Sequence, residues 1–317
     1  MIETIPLSWL RSDTSHPRFK SVRLPLSGLR WIHSAEIPGG FTFEEVYAEL
    51  AERFGDGILI RGCRAEIAGF LVNRGFGAVR TGAEALVDLD SNAGIPSAAK
   101  ELSRRGFRWG SVEEIPCTEE FTERVSRFWS VSSHGSKPRL RYLFHSAFDP
   151  RTRCFVFRTT EDRWLGAVTV SMTSAFGAHT EMILRAEDAP AGVMDALFVE
   201  IMDALRREGL KELSLGEVPF VDCGYDENTV SPSGQYIKEK FLFAVGYLLR
   251  HAYNFRSLFR FKNKFRPKWE PVYICAPKVS LTALADIFVE SGFYALSGAA
   301  LISSVRGRAH SLLRHHL

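Results

Sequence analysis

Apolar residues recur along this chain with two different periods, and the switches between them mark the expected elements. Over 190–208, Val193, Leu197, Val199, Ile201 and Leu205 lie mostly on one side of a 3.6-residue repeat, which predicts a long amphipathic helix closed by Gly209. Thr42, followed by Phe43, Glu44 and Glu45, predicts a helix start: a threonine caps free N–H groups, and early acids suit the positive end of the dipole. That helix covers 42–54 and stops at Gly55-Asp56-Gly57. Further helices are predicted over 65–73, 97–105, 118–129, 238–247 and 280–291. Short apolar runs predict strands over 57–62, 76–79, 83–89, 154–159, 164–172, 181–184, 212–215 and 272–276. Residues 1–36 read as short strands between polar turns. Arg80-Thr81-Gly82 and Glu161-Asp162-Arg163 are expected to be turns that join strands.

Helices alternate with strands in both halves, so the fold class expected is mixed α/β. The 317 residues, 45% of them hydrophobic, suit two domains. The division is placed near residue 115, just before Pro116. It gives an N-terminal domain over 1–115, a C-terminal catalytic domain over 116–295 and a basic tail over 296–317. The five cysteines, Cys63, Cys117, Cys154, Cys223 and Cys275, are dispersed and form no CxxC pair or Cys/His cluster. They fit a reducing compartment, and no metal is expected. No apolar run approaches the ~20 residues that span a bilayer. Arg11 and Asp13 stand early, without an apolar signal core, so the chain is expected to be cytoplasmic. The tail joins Leu301, Ile302, Val305, Leu312 and Leu313 with Arg306, Arg308 and Arg314. It reads either as a basic amphipathic helix for an anionic membrane or as a frayed soluble end.

The net charge of +3 says little, but its distribution says more. Between residues 250 and 268 stand Arg250, Arg256, Arg260, Lys262, Lys264, Arg266 and Lys268, with no acid. Tyr253, Phe255, Phe259, Phe261, Phe265 and Trp269 are interleaved with them. Cations neutralise phosphates and aromatic faces stack on unpaired bases, so one reading is a polyanionic partner with a single-stranded end. The other is a half-buried edge strand, with Phe259 and Phe261 inward and Arg260 and Lys262 solvated. Lys100, Arg104, Arg105 and Arg108 form a second basic patch, read as a solvated helix face or a further contact for such a partner. The paired acids Glu113-Glu114 and Glu119-Glu120 read as helix starts.

The segment from Phe261 to Tyr273 resembles the F-K-x-K-F-x-P-x-W-E-P-R-Y signature of the cytosolic catalytic domain of the lysyl- and alanyl-phosphatidylglycerol synthases, the multiple peptide resistance factors. Phe261, Lys262, Lys264, Phe265, Pro267, Trp269, Glu270, Pro271 and Tyr273 match; Val272 stands where that family has arginine. The run from Asp188 to Asp195 resembles its D-A-P-N-G-x-M-D, and Ser214 to Pro219 its N-L-G-x-x-P. Arg74 to Leu89 resembles its G-F…G-x-E-A-x-V-D-L block. The likeness covers roughly residues 20 to 295. The family's membrane helices and a synthetase module are not seen in this sequence.

The resemblance implies two acetyltransferase-like (GNAT-type) domains in tandem. It implies transfer of an aminoacyl group from aminoacyl-tRNA to a hydroxyl of a lipid acceptor such as phosphatidylglycerol, with no cofactor and no metal. The partners implied are aminoacyl-tRNA and that lipid, met at the membrane surface by a cytoplasmic protein, peripheral at the inner face. Alternatives keep the fold but take an acyl-CoA donor or a sterol, peptide or small amine acceptor, or reduce the chain to an RNA- or lipid-binding module. Lys262 and Lys264 are the catalytic candidates for stabilising the oxyanion or holding terminal phosphates. Glu270 is a candidate for positioning the α-amino group or orienting a lysine, and Glu181 for proton transfer or the amino group. Arg185 matches the second arginine of the family's D-L-M-R-R stretch, whose first arginine is Leu184 here. Arg260, Arg266, Tyr253, Trp269, Tyr273 and Asp188 complete the substrate-binding expectation.

Overall fold

The computed structural model describes residues 1–90, 94–135, 137–143, 152–222, 235–249 and 254–299. The chain begins with β1 (Leu10–Ser12), β2 (Arg18–Arg23), β3 (Arg30–Pro38), α1 (Phe43–Phe54), β4 (Ile58–Cys63), α2 (Ala65–Val72) and β5 (Gly77–Asp88). It continues through α3 (Ser97–Gly106), β6 (Ser111–Ile115), α4 (Glu119–Val131), β7 (Arg153–Arg158), β8 (Trp164–Met172), β9 (Gly177–Arg185) and α5 (Val193–Arg207). It closes with β10 (Glu212–Pro219), α6 (Tyr236–Leu248), α7 (Phe255–Asn263), β11 (Lys268–Ala276) and α8 (Leu281–Glu290). The mixed α/β class is as expected.

Local chemistry accounts for the helix starts. The Thr42 side chain accepts the Glu45 N–H while the Glu45 carboxylate accepts the Thr42 N–H at 2.8 Å, a reciprocal cap. Thr118 and Ser280 cap α4 and α8 in the same way, each accepting a backbone N–H three residues on. Behind its cap α1 buries Phe43, Val46 and Leu50, one stripe of the helical repeat.

The strands form one sheet in the order β1-β3-β4-β11-β5-β10-β9-β8-β7-β6, with β2 also on β3. Each half holds a parallel pair joined through a helix: β3 and β4 through α1, and β9 and β10 through α5. The strand carrying the signature, β11, comes from far along the chain and lies between β4 and β5, antiparallel to both. It is therefore central to the sheet. Its side chains alternate between two cores: Tyr273 and Cys275 join α1 and α2 on one face, and Ile274 and Ala276 join α8 on the other. A third and larger core packs α3, α4 and α5 on β7 to β10. Ala85, Val87, Ile95 and Ala99 already belong to that core, and β6 pairs with β7. The change of core thus comes well before the expected division near residue 115.

Three local expectations are corrected. Arg80-Thr81-Gly82 is no turn but the middle of β5, because both edges there are paired: Gly82 stands opposite Val272 of β11 and Pro219 of β10. The register slips between Val272 and Tyr273, a bulge that absorbs the extra residue. Glu113 and Glu114 lie on β6, not at a helix start. The basic aromatic segment is not an edge strand either. It forms helix α7, whose last turn places Lys262 inward at 3% exposure.

Candidate active site

The parallel pairing of β9 and β10 covers three residue pairs and ends at Ser214 opposite His179. Beyond that point β9 continues against β8 and β10 against β5, so the two strands separate. Gly216 lies where they part, at φ +84°, a conformation that costs a side-chain-bearing residue strain. Helix α7 packs on β10, and Lys262 reaches this point. Its Nζ donates to Gly216 O at 2.9 Å and to Glu217 O at 3.2 Å. A Cβ at Gly216 would stand 3.4 Å from that Nζ and 3.5 Å from His179 Cε1. The Lys262 amine and the His179 ring thus both lie close to the backbone at Gly216.

Burial sets the protonation of both groups. Desolvation pushes the Lys262 ammonium down to about 7, against the pull of Glu217 and Glu84. Burial likewise lowers His179 to about 4; Glu84 opposes this, while Lys262 and Arg64 add to it. His179 is therefore neutral near pH 7, with Nδ1 2.8 Å from Ser214 Oγ. The Ser214 hydroxyl also accepts the Gly216 N–H at 3.1 Å.

Beside this group runs a row of carboxylates. Glu217 of β10 is in register with Glu84 of β5, which is in register with Glu270 of β11. Like charges directly opposite one another destabilise a sheet unless balanced. Each has its own cation. Arg61 of β4 pairs with Glu217, and Lys268 with Glu270 at 2.6 Å. Arg64, the residue before α2, grips Glu84 at two points, Nε at 2.7 Å and Nη2 at 2.9 Å. Burial would lower the Arg64 pKa, but Glu84 and Glu212 outweigh it and raise the value. Thr81 donates to Glu217 at 2.9 Å, so the bulge in β5 also serves this row.

The sequence-predicted residues separate into two groups. Lys262 is at the centre, and Glu181 is buried on β9, where it accepts the Ser171 hydroxyl at 2.6 Å. Glu270 is half-buried in the carboxylate row and is paired with Lys268 rather than Lys262 or Lys264. Lys264 is half-buried, bonded to Asp195 at 2.6 Å and seated over the Phe261 ring. Trp269 stacks on Phe259 with centroids 4.6 Å apart and donates to Asn263. Tyr273 is wholly buried in the core with α1 and α2. Arg260, Arg266, Arg185 and Asp188 are exposed; Arg185 donates to Ala189 O, and Asp188 pairs with Arg163. Tyr253 and residues 300–317 of the basic tail lie outside the described residues. Leu184 and Val272, where the resembled pattern has arginine, are both core residues.

Sequence reasoning gave no role to His179, Ser214, Glu217, Glu84, Arg61 or Arg64, although Ser214, Glu217 and Glu84 lie in stretches that carry the resemblance. One signal was present: Glu84 is an ionisable residue inside the apolar run Ala83 to Leu89, where a charge is buried only at a cost. The second basic patch is a solvated helix face, with Arg104 and Arg105 exposed and paired with Glu101.

A recess of about 460 Å³ opens between α6, α7 and β5. At its base Arg80, 3% exposed, pairs with Asp222 at 3.0 Å and lies over the Phe243 ring, while its N–H donates to Glu239 at 3.1 Å. Arg256 of the basic segment also lines it.

Residues 43–276 match the family model described as "Phosphatidylglycerol lysyltransferase, C-terminal". The chain belongs to this family. The family match takes in every described element of the site just built. A phosphatidylglycerol lysyltransferase of Bacillus subtilis (strain 168) is 23% identical over 215 residues, which are 64% of this chain and 24% of that protein. This family member therefore spans about a quarter of the length of that curated relative. Its fold is similar to the C-terminal domain of a putative lysylphosphatidylglycerol synthetase from Agrobacterium fabrum, with a TM-score of 0.61, 22% identity, and 87% and 85% of the two chains covered. It is also similar to L-PGS from Bacillus licheniformis, with a TM-score of 0.58, 20% identity, and 78% and 76% covered. The mixed α/β fold, with its helices packed on one large mixed sheet, is thus shared with these C-terminal domains. Among the described residues, no helix is long and apolar enough to cross a membrane, and no three His, Cys, Asp or Glu side chains group as metal ligands.

Proposed function

We propose that the chain is an aminoacyltransferase that moves an aminoacyl group from aminoacyl-tRNA to a hydroxyl of a phosphatidylglycerol-like lipid, working peripherally at the membrane surface. The observation that carries this reading is the state of Lys262. A neutral amine has two hydrogens, and the carbonyls of Gly216 and Glu217 take both, which leaves its lone pair free. With its pKa near 7, that amine is matched to general-base work at neutral pH.

The reaction exchanges one ester for another. Lys262 takes the proton of the acceptor hydroxyl as its oxygen attacks the ester carbonyl. The bond to the tRNA ribose oxygen then breaks, and the proton passes from Lys262 to that leaving oxygen. Catalysis rests on orientation and on a preorganised polar surrounding. The carboxylate row, chiefly Glu217 and Glu270, is the candidate partner for the α-ammonium of the aminoacyl group. Lys262 is 3% exposed, so α7 must shift from β10 to admit the ester. Arg260, Arg266 and Lys268 stay exposed beside it for the tRNA phosphates.

The test supplies tRNAs charged with labelled amino acids together with phosphatidylglycerol vesicles. Label appearing in lipid, and abolished by ribonuclease, is the expected result. Label accepted only from acyl-CoA, or tRNA binding without turnover, overturns it.

A further inference from the structure

We propose that the outer face of α6 is the surface through which this chain docks on an anionic bilayer. The inference rests on the lipid-acceptor reading for the nature of the partner and on α6 for the place.

Two contacts fix which side of α6 faces inward. Glu239, 3% exposed, accepts the Arg80 N–H. Gly246 lies against Phe220 so closely that a Cβ there would come within 2.2 Å of the ring. The opposite side is thereby turned to solvent, and it is apolar. Ile237 is 77% exposed and Phe241, one turn on, is 54% exposed; Ala244 and Tyr247 extend the same stripe. Soluble surfaces rarely line up large apolar side chains in this way without a partner.

The charges around the stripe select the partner. Glu239 is the one acid of α6, and it is buried; α7 has none. The exposed charges of α6 and α7, Lys240, Arg256 and Arg260, are all cations; the exposed acid of the neighbouring recess, Asp222, is paired with Arg80. Lys240 sits over the Tyr236 ring at 4.3 Å and Arg256 over the Tyr247 ring at 5.5 Å. Apolar residues below, rings at the margin and cations above is the arrangement of a helix lying in the plane of an anionic membrane. At 13 residues α6 is too short to cross one. A second copy of the chain fits poorly, since a symmetric pairing would set these cations against each other. Tyr236, Lys240 and Tyr247 also line the recess above Arg80, so its mouth opens at the docking face, where a lipid headgroup would lie.

The experiment floats the full chain with vesicles of mixed phosphatidylglycerol and phosphatidylcholine, and with phosphatidylcholine alone, at low salt. The wild type is expected on the anionic vesicles only. Ile237→Ser with Phe241→Ser should lower that partition by roughly tenfold or more, from the apolar area lost. Leu281→Ser with Val289→Ser, which removes exposed apolar residues of α8, should not. Transfer to a short-chain, water-soluble phosphatidylglycerol should be unchanged in both. Failure of the wild type to float, or equal flotation of the α6 variant, overturns the proposal. So does a dimer seen by light scattering that the α6 variant abolishes. If no acceptor is aminoacylated while the flotation difference holds, the transferase reading fails and the docking face stands.

Discussion

Lys262 Nζ donates to Gly216 O at 2.9 Å, and that one bond ties a buried amine to the point where β9 and β10 separate. Lys262→Met keeps the length of the side chain and removes the base. It should lower kcat/KM by about 10²–10⁴. In the wild type, kcat/KM should rise with pH through about 7, as Lys262 loses its proton. A fall through that region would mean that the charged form acts instead. Stability supplies an independent check. The folded pKa, about 7, lies below the ordinary 10.5, so between those values the unfolded chain binds more protons. Folding stability therefore rises with pH across that window, and burial of the charge costs most below it. Any advantage of Lys262→Met in thermal midpoint at about pH 6.5 should shrink by about pH 9.5, since the variant lacks this term.

Gly216→Ala tests the backbone beneath the amine. At φ +84° a Cβ is strained whatever the space, and here it meets Lys262 Nζ at 3.4 Å. A loss of about 1–3 kcal/mol in denaturant stability is expected. Because the Cβ would stand in van der Waals contact with the amine and the backbone that holds it is strained, the pH midpoint of kcat/KM should move as well. A variant with lowered stability and an unmoved midpoint would separate Gly216 from the site.

What the sequence disclosed, and what it withheld, divides along contact range. Thr42 announced its helix because a cap is an exchange between residues three apart, and the helices read from Thr118 and Ser280 open on the same kind of cap. The strand over 164–172 was legible from its own apolar run. The stretch Arg80-Thr81-Gly82 was misleading because its local turn chemistry yields to pairing with Val272 and Pro219, more than a hundred residues away. Lys262 illustrates the same limit at the site. The signature marked it, but nothing nearby in sequence foretold an inward-facing amine, since the carbonyls that hold it are 45 and 46 residues distant. Glu84 was visible as a charge in an apolar run, while its partner Arg64 looked like an ordinary loop residue.

Glu84→Gln tests whether the carboxylate row is held by its cations. Glu84 is fully buried and its Arg64 partner nearly so, and breaking such a pair by removing one side costs about 3–5 kcal/mol. The expected result is a large fall in denaturant midpoint, only partly offset by the remaining Arg64–Glu212 contact at 3.1 Å. Lys268→Ala removes an exposed lysine from the half-buried Glu270 and should leave stability almost unchanged. Equal losses in the two variants would contradict the difference in burial between the two pairs.

His179 predicts the acid limb of stability. Its folded pKa, about 4, lies below the ordinary 6.5, so as the pH falls through that interval the unfolded chain takes up a proton that the folded chain refuses. The stability this neutral imidazole supports is present above about pH 6.5 and is lost towards pH 4. His179→Asn retains a polar group for the Ser214 hydroxyl, 2.8 Å from Nδ1 in the wild type, but cannot titrate. Between about pH 6.5 and 4.5 the wild type should lose stability faster than this variant in urea unfolding, by on the order of 1–3 kcal/mol over the range. Parallel loss in both would show that His179 takes up its proton in the folded chain as readily as in the unfolded one. Below about pH 6.5 that outcome would place an imidazolium beside Lys262, and a like charge there would push the midpoint of the amine lower still.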